Sequence, residues 1–253
     1  MEVHHHPDID HKSKRFKEYF LEFLMIFLAV TLGFFAENVR EWLTENAKEK
    51  EYMGALVEDL KADTAQMAST IADWKESNLN LDSILIFLKK ELDTSTIRHL
   101  YLLFSEDYWH FDLFKYNNKT IEELKSSGNY RLIRKKPIAN QIITYDLDMK
   151  YILIQEQDVK ELMISSKNVE SKIFDFSQFM WTAPRTTGLL FINSDQKPHH
   201  LLSYDKQLIG EYFNKLLSFR FLAYSHVKRF EKTKEESTKL LTIIQREYHL
   251  ANE

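Results

Sequence analysis

Cysteine is absent, and only five glycines and four prolines occur among 253 residues. Without cysteine there is no disulfide framework, no thiolate nucleophile and no Cys-type zinc or iron–sulfur site. Scarce glycine and proline mean few tight turns and long uninterrupted helices. The charge balance is nearly even, with a net of -4, too mild to imply nucleic acid or an acidic surface as partner. Catalytic signatures are missing too: there is no phosphate-binding glycine loop, no HExxH and no GxSxG. Asp146 and Asp148 fall in helical pattern two residues apart, so they do not face each other. No enzymatic activity and no cofactor are expected.

The stretch Tyr19 to Ala36, YFLEFLMIFLAVTLGFFA, dominates what is present. Its 18 residues contain one ionisable charge near neutral pH, Glu22. As a helix it spans about 27 Å, close to a hydrocarbon core of about 30 Å. A buried core helix is one alternative, but Phe23 to Ala36 is apolar or small on every face, whereas soluble helices usually keep a polar stripe. A cleaved signal peptide is the other. Against it stand the long leading segment and the ending Phe34-Phe35-Ala36-Glu37, which lacks a small-x-small cleavage pattern. The expectation is an uncleaved single-pass anchor. Lys12, Lys14, Arg15 and Lys17 precede it densely, while five Glu accompany Arg40, Lys48 and Lys50 after it. The positive-inside rule then places residues 1–18 in the cytoplasm and residues 37–253 outside.

His4, His5 and His6 lie in the tail MEVHHHPDIDH. They are weak metal candidates: adjacent histidines cannot all turn toward one metal from one helix face, though an extended segment or several copies could arrange it. A solvated polar tail is the alternative.

The opening VHHHP, the stretch KEYFLEFLMIFLAVTLGFFAEN and the later LVEDLKADT together resemble a family of uncharacterised bacterial single-pass membrane proteins. IEELKSSGNYRLIR is similar to a segment of related families with the same kind of anchor. The resemblance implies an inner-membrane protein with an N-terminal anchor and a helical domain beyond it, periplasmic in a Gram-negative cell. It implies no catalytic or binding residues, and it makes the histidines native rather than a cloning remnant.

Glu22 lies about one turn inside the anchor. A carboxylate at membrane depth is costly and suggests an ion pathway; pairing with Lys14 or Lys17, or an interhelical hydrogen bond, is the plainer reading. Thr31 and Gly33 are small residues that let helices approach.

From Met53 the helical seam is expected at alternating four and three: Met53, Val57, Leu60, Thr64, Met67, Ile71, Trp74, Asn78, Leu81, Leu85, Leu88 and Leu92. Such a seam, locally broadened, fits an antiparallel bundle. Asp93-Thr-Ser-Thr is a cap signal, Gly128-Asn129 a helix stop, and short helices over 93–134 are expected to form a small cap. Tyr108, Trp109 and His110 are candidates for lining a ligand pocket, the alternative being plain aromatic packing. The seam returns from Ile138 after Pro137. Residues 182–204 read as an irregular loop holding a strand near Gly188–Asp195 and a returning strand near Pro198–Leu202. Asp205 caps a last long helix.

The expected architecture is all-α: a transmembrane helix continuing into an elongated antiparallel helical bundle. The expected function is a membrane-anchored interaction or scaffold protein that self-associates or binds another membrane protein in the bilayer. Two other classes stay open: a homo-oligomeric ion or proton channel with Glu22 at its cytoplasmic mouth, and a ligand-sensing domain that acts through a partner.

Overall fold

The computed structural model describes residues 16–105, 113–180, 191–192 and 200–250. Five α-helices account for most of them: α1 (Phe16–Leu88), α2 (Thr94–Ser105), α3 (Lys119–Ser126), α4 (Lys136–Ile173) and α5 (Lys206–Tyr248). The protein is all-α. The exceptions among the described residues are a 3-10 turn at Asn129–Leu132, another at Phe176–Gln178, and two strands of two residues each. The chain divides into two compact units, residues 1–51 and 52–253.

In the first unit the described residues form the opening part of α1. The most apolar 18-residue window of this helix is wholly unburied. By length and composition the helix can cross a membrane.

The second unit builds its own core from the rest of α1 with α4 and α5. Tyr212 reaches Glu170 at 2.6 Å, and Lys135 reaches Glu247 at 2.8 Å, so α4 and α5 run antiparallel. Lys75 reaches Glu231 at 2.7 Å and Arg220 pairs with Asp82, so α5 also opposes α1. Two apolar clusters fill the interior. One gathers Trp74, Leu81, Tyr101, Phe174, Tyr212 and Phe219; the other gathers Met53, Leu60, Met67, Ile142, Phe230 and Ile244.

The buried side of α1 keeps the expected seam at both ends and differs from it by one residue in the middle, where Asp63, Thr70 and Ser77 stand in for Thr64, Ile71 and Asn78. From Met53 onward the buried positions are Met53, Leu56, Val57, Leu60, Asp63, Met67, Thr70, Trp74, Ser77, Leu81, Ile84, Leu85 and Leu88. Thr64, Ile71 and Asn78 are half-buried. A pattern drawn from hydrophobicity assigns Ile71 to the core in preference to Thr70, and it cannot place a carboxylate there at all. On α4 the expected seam is buried at Ile138, Ile142, Tyr145, Met149, Ile152, Glu156, Val159 and Ser166. On α5 the buried side continues through the charged stretch 228–237: Phe230, Thr233, Ser237, Leu240 and Ile244 are all buried.

Local signals set the helix ends. Asp93 accepts the Thr96 N–H at 2.7 Å and Asp205 accepts the Gln207 N–H at 2.8 Å, capping α2 and α5. Gly128, at φ 68°, turns the chain after α3 in a conformation other residues rarely adopt. Pro137 sits in the first turn of α4. The helix α1 stops at Leu88, short of Leu92. The strand expected near Gly188–Asp195 appears as Phe191–Ile192, but its antiparallel partner is Phe179–Met180 rather than a segment near Pro198. Leu201 forms a single bridge with Phe174 instead.

Candidate functional site

In the second unit LVEDLKADT of α1 packs beside the segment that leads into α3. Residues 113–118 have no helical or strand partner, so their backbone groups need side chains to replace water. α1 supplies them from one face. Asp59 accepts the Thr120 N–H at 3.2 Å. Asp63 accepts the Asn117 N–H at 3.0 Å and its side-chain amide at 2.7 Å. Gln66, with its amide turned to suit, bonds both backbone groups of Lys115 at 3.0 Å each. Positions 59, 63 and 66 follow the helical repeat, and their partners descend from 120 to 115, so the strap lies antiparallel to α1. From α4, Glu156 accepts the Phe114 N–H at 3.0 Å.

A second layer surrounds this clamp. Tyr145 donates to the other Asp63 oxygen. Tyr116 donates to Asp146 at 3.1 Å, and Lys125 and Lys150 reach the same carboxylate at 2.7 and 3.0 Å. Tyr52 donates to Glu123 at 3.2 Å and accepts from Asn129 at 2.9 Å. Burial raises the pKa of Asp63 despite the bonds from Tyr145 and Asn117. Burial raises Tyr145 and Tyr116 as well, and the neighbouring carboxylates add to it. At Asp146 burial acts the same way, but the two lysines outweigh it and the pKa falls below the ordinary value. Each carboxylate here accepts at least one hydrogen bond, so the groups form one connected network.

His226 is among the buried groups whose polar atoms find no hydrogen-bond partner. It is completely buried on α5, edge-on to Trp74 at 5.4 Å and to Phe230 at 4.7 Å between ring centres. Neither ring nitrogen has a hydrogen-bond partner, and Nε2 lies 4.0 Å from Glu156 Oε1. Burial lowers the imidazole pKa to about 4. Burial raises Glu156 to about 6, against the pull of the Phe114 N–H. A cleft of about 300 Å³ between α4 and α5 is lined by Tyr145, Asp148, Thr233, Glu236, Lys239 and Leu240, among others.

Of the residues singled out from sequence, Glu22 lies in α1, half-buried, in the first unit. His4, His5, His6, Tyr108, Trp109 and His110 lie outside the described residues. Among the described residues no three His, Asp or Glu side chains cluster as metal ligands. The clamp residues Asp59, Asp63 and Gln66 were not singled out, and Glu156 was placed only as a seam position of α4. The signal was present for two of them, since the acidic pair of LVEDLKADT is spaced to share a helix face. His226 was not singled out either, because the apolar spacing of α5 put its neighbour Val227 on the seam.

Comparison of the chain with family models, curated proteins and solved structures gives no match.

Proposed function

We propose that this is a membrane-anchored helical interaction protein that self-associates in the bilayer. It sits in a bacterial inner membrane, with residues 1–18 cytoplasmic and the bundle on the far side. The carrying observation is the contrast between the two parts of α1. The opening part is apolar on all sides and unburied, while the later part is one wall of a core that residues 52–253 complete for themselves. A soluble protein exposing so much contiguous apolar surface would aggregate; a bilayer covers it. The clamp and its surrounding pairs hold a scaffold in shape and present no reacting group, which supports binding rather than chemistry.

The test has three readings of one preparation. The full chain should stay with membranes through alkaline carbonate. Protease added from the cytoplasmic side should remove only the N-terminal tail. Protein extracted into nanodiscs without crosslinker should have a mass of at least two copies. A chain released by carbonate sinks the anchor. A strictly monomeric mass, with no partner crosslinked in cells, sinks the interaction role.

A further inference from the structure

The cleft between α4 and α5 is lined by groups that the scaffold leaves unused. Its volume of about 300 Å³ is at the small end of ligand sites. Tyr145, Leu240 and Ile243 give it an apolar wall. The Tyr145 hydroxyl is taken up by Asp63, so the ring is what Tyr145 offers the cleft. Asp148 lines it from α4, and Thr233, Glu236 and Lys239 line it from α5.

Two of these side chains lack partners. A threonine inside a helix commonly returns its hydroxyl to the carbonyl four residues back. Thr144, on the same cleft, does so at 3.1 Å, and Thr64, Thr238 and Thr242 do so at 2.7, 2.8 and 2.9 Å. Thr233 forgoes that bond. It is 2 % exposed, and its hydroxyl has no hydrogen-bond partner among the described residues. Such a buried hydroxyl costs stability until something supplies a partner. Asp148 is the second. Asp146, two residues earlier, is held by Tyr116, Lys125 and Lys150. Asp148 is half-buried and has no hydrogen bond or ion pair among the described residues.

The charges choose the ligand. Lys239 reaches Glu235 at 2.6 Å, and Glu235 does not line the cleft. Glu236 has Lys232 at 3.6 Å. The Asp148 carboxylate is therefore the uncompensated charge of the cleft. It suits a cation that can donate hydrogen bonds, and the apolar wall suits a hydrocarbon body behind that cation.

We propose that this cleft binds a small primary amine, with its ammonium on Asp148 and the Thr233 hydroxyl and its apolar body against Tyr145, Leu240 and Ile243. The site is independent of the self-association proposed above.

The full chain is placed in phosphatidylcholine nanodiscs and titrated with phenethylamine by calorimetry, with the heat of empty discs subtracted. Phenethyl alcohol and phenylpropionate carry the same ring on a neutral and an anionic head. Phenethylamine should bind saturably, one per chain, and the other two at least tenfold more weakly. Asp148→Asn should weaken the amine roughly tenfold with an unchanged urea midpoint, while Asp158→Asn, an exposed carboxylate of α4 away from the cleft, should leave binding as it is. Thr233→Val should weaken the amine roughly threefold and raise the urea midpoint, since it removes a buried hydroxyl that has no partner. A variant that binds less and unfolds later has not lost its site by misfolding. Absence of saturable heat from phenethylamine overturns the site. Equal binding of the three probes overturns the amine. Binding that ignores Asp148→Asn, or falls equally with Asp158→Asn, overturns the place assigned to the ammonium.

Discussion

His226 and Glu156 answer a change of pH in opposite directions. The folded pKa of Glu156, about 6, lies above its ordinary 4.5. The stability it contributes is complete below about pH 4.5 and is lost as the pH rises through 6, roughly 2 kcal/mol in all. The folded pKa of His226, about 4, lies below its ordinary 6.5. Its contribution is complete above about pH 6.5 and is lost as the pH falls through 4, roughly 3 kcal/mol. Between about pH 4.5 and 6 the two slopes cancel. Relative to the native chain, Glu156→Gln should gain stability with rising pH across that window, and His226→Leu should lose it. Urea denaturation at a series of pH values checks this; slopes of one sign in both variants would contradict the burial of the pair. Asp63 is a second sensitive point. Asp63→Ala leaves the Tyr145 hydroxyl and two Asn117 donors without their acceptor and should cost about 3 kcal/mol. Hydrogen exchange should show the Asn117 amide losing its protection in that variant.

Elements in this protein are set by caps and pinned by single side chains. Asp205→Ala removes the acceptor at the start of α5 and should cost about 1 kcal/mol, read as a lower urea midpoint. The Tyr101 hydroxyl accepts the Asp175 N–H at 2.7 Å and donates to His200 O at 2.9 Å, tying α2 to the chain on both sides of residues 181–199. Burial pushes that hydroxyl up to about 12, so it stays a donor at every physiological pH. Tyr101→Phe should therefore speed proteolysis between residues 176 and 204 several-fold while leaving the helical signal intact. These ends were legible beforehand, because a cap is a local chemical fact: Asp93, Gly128, Pro137 and Asp205 each announce a boundary in their own residue type. The lateral phase of α1 was legible only to within one residue. Its seam carries Asp63, Thr70 and Ser77, and whether such a residue is buried depends on what another element brings to it. The strap at 113–118 was illegible for the same reason, since its order comes from Asp59, Asp63, Gln66 and Glu156 rather than from its own sequence.

At the scale of the whole chain, residues 52–253 contain both apolar clusters. A chain starting at Tyr52 should stay in solution without detergent and melt cooperatively with a helical spectrum, whereas the full chain should need a bilayer or a substitute for one. Aggregation of the shorter chain would show that its core depends on the first unit. The polar residues on the α1 seam carry a further consequence for how this long helix finds its place. An unbroken apolar seam repeats every seven residues, so a helix sliding along its neighbours meets equivalent alignments one heptad apart. Asp63, Thr70 and Ser77 stand in that repeat, but only Asp63 carries a charge. Slid by one heptad, the helix would offer Leu56 or Thr70 to Tyr145 and Asn117 and strand the carboxylate among apolar side chains, at a cost of several kcal/mol. Within a heptad on either side the aspartate has no equal and acts as an address on a repeating ruler: the apolar residues say that the helices adhere, and Asp63 says where.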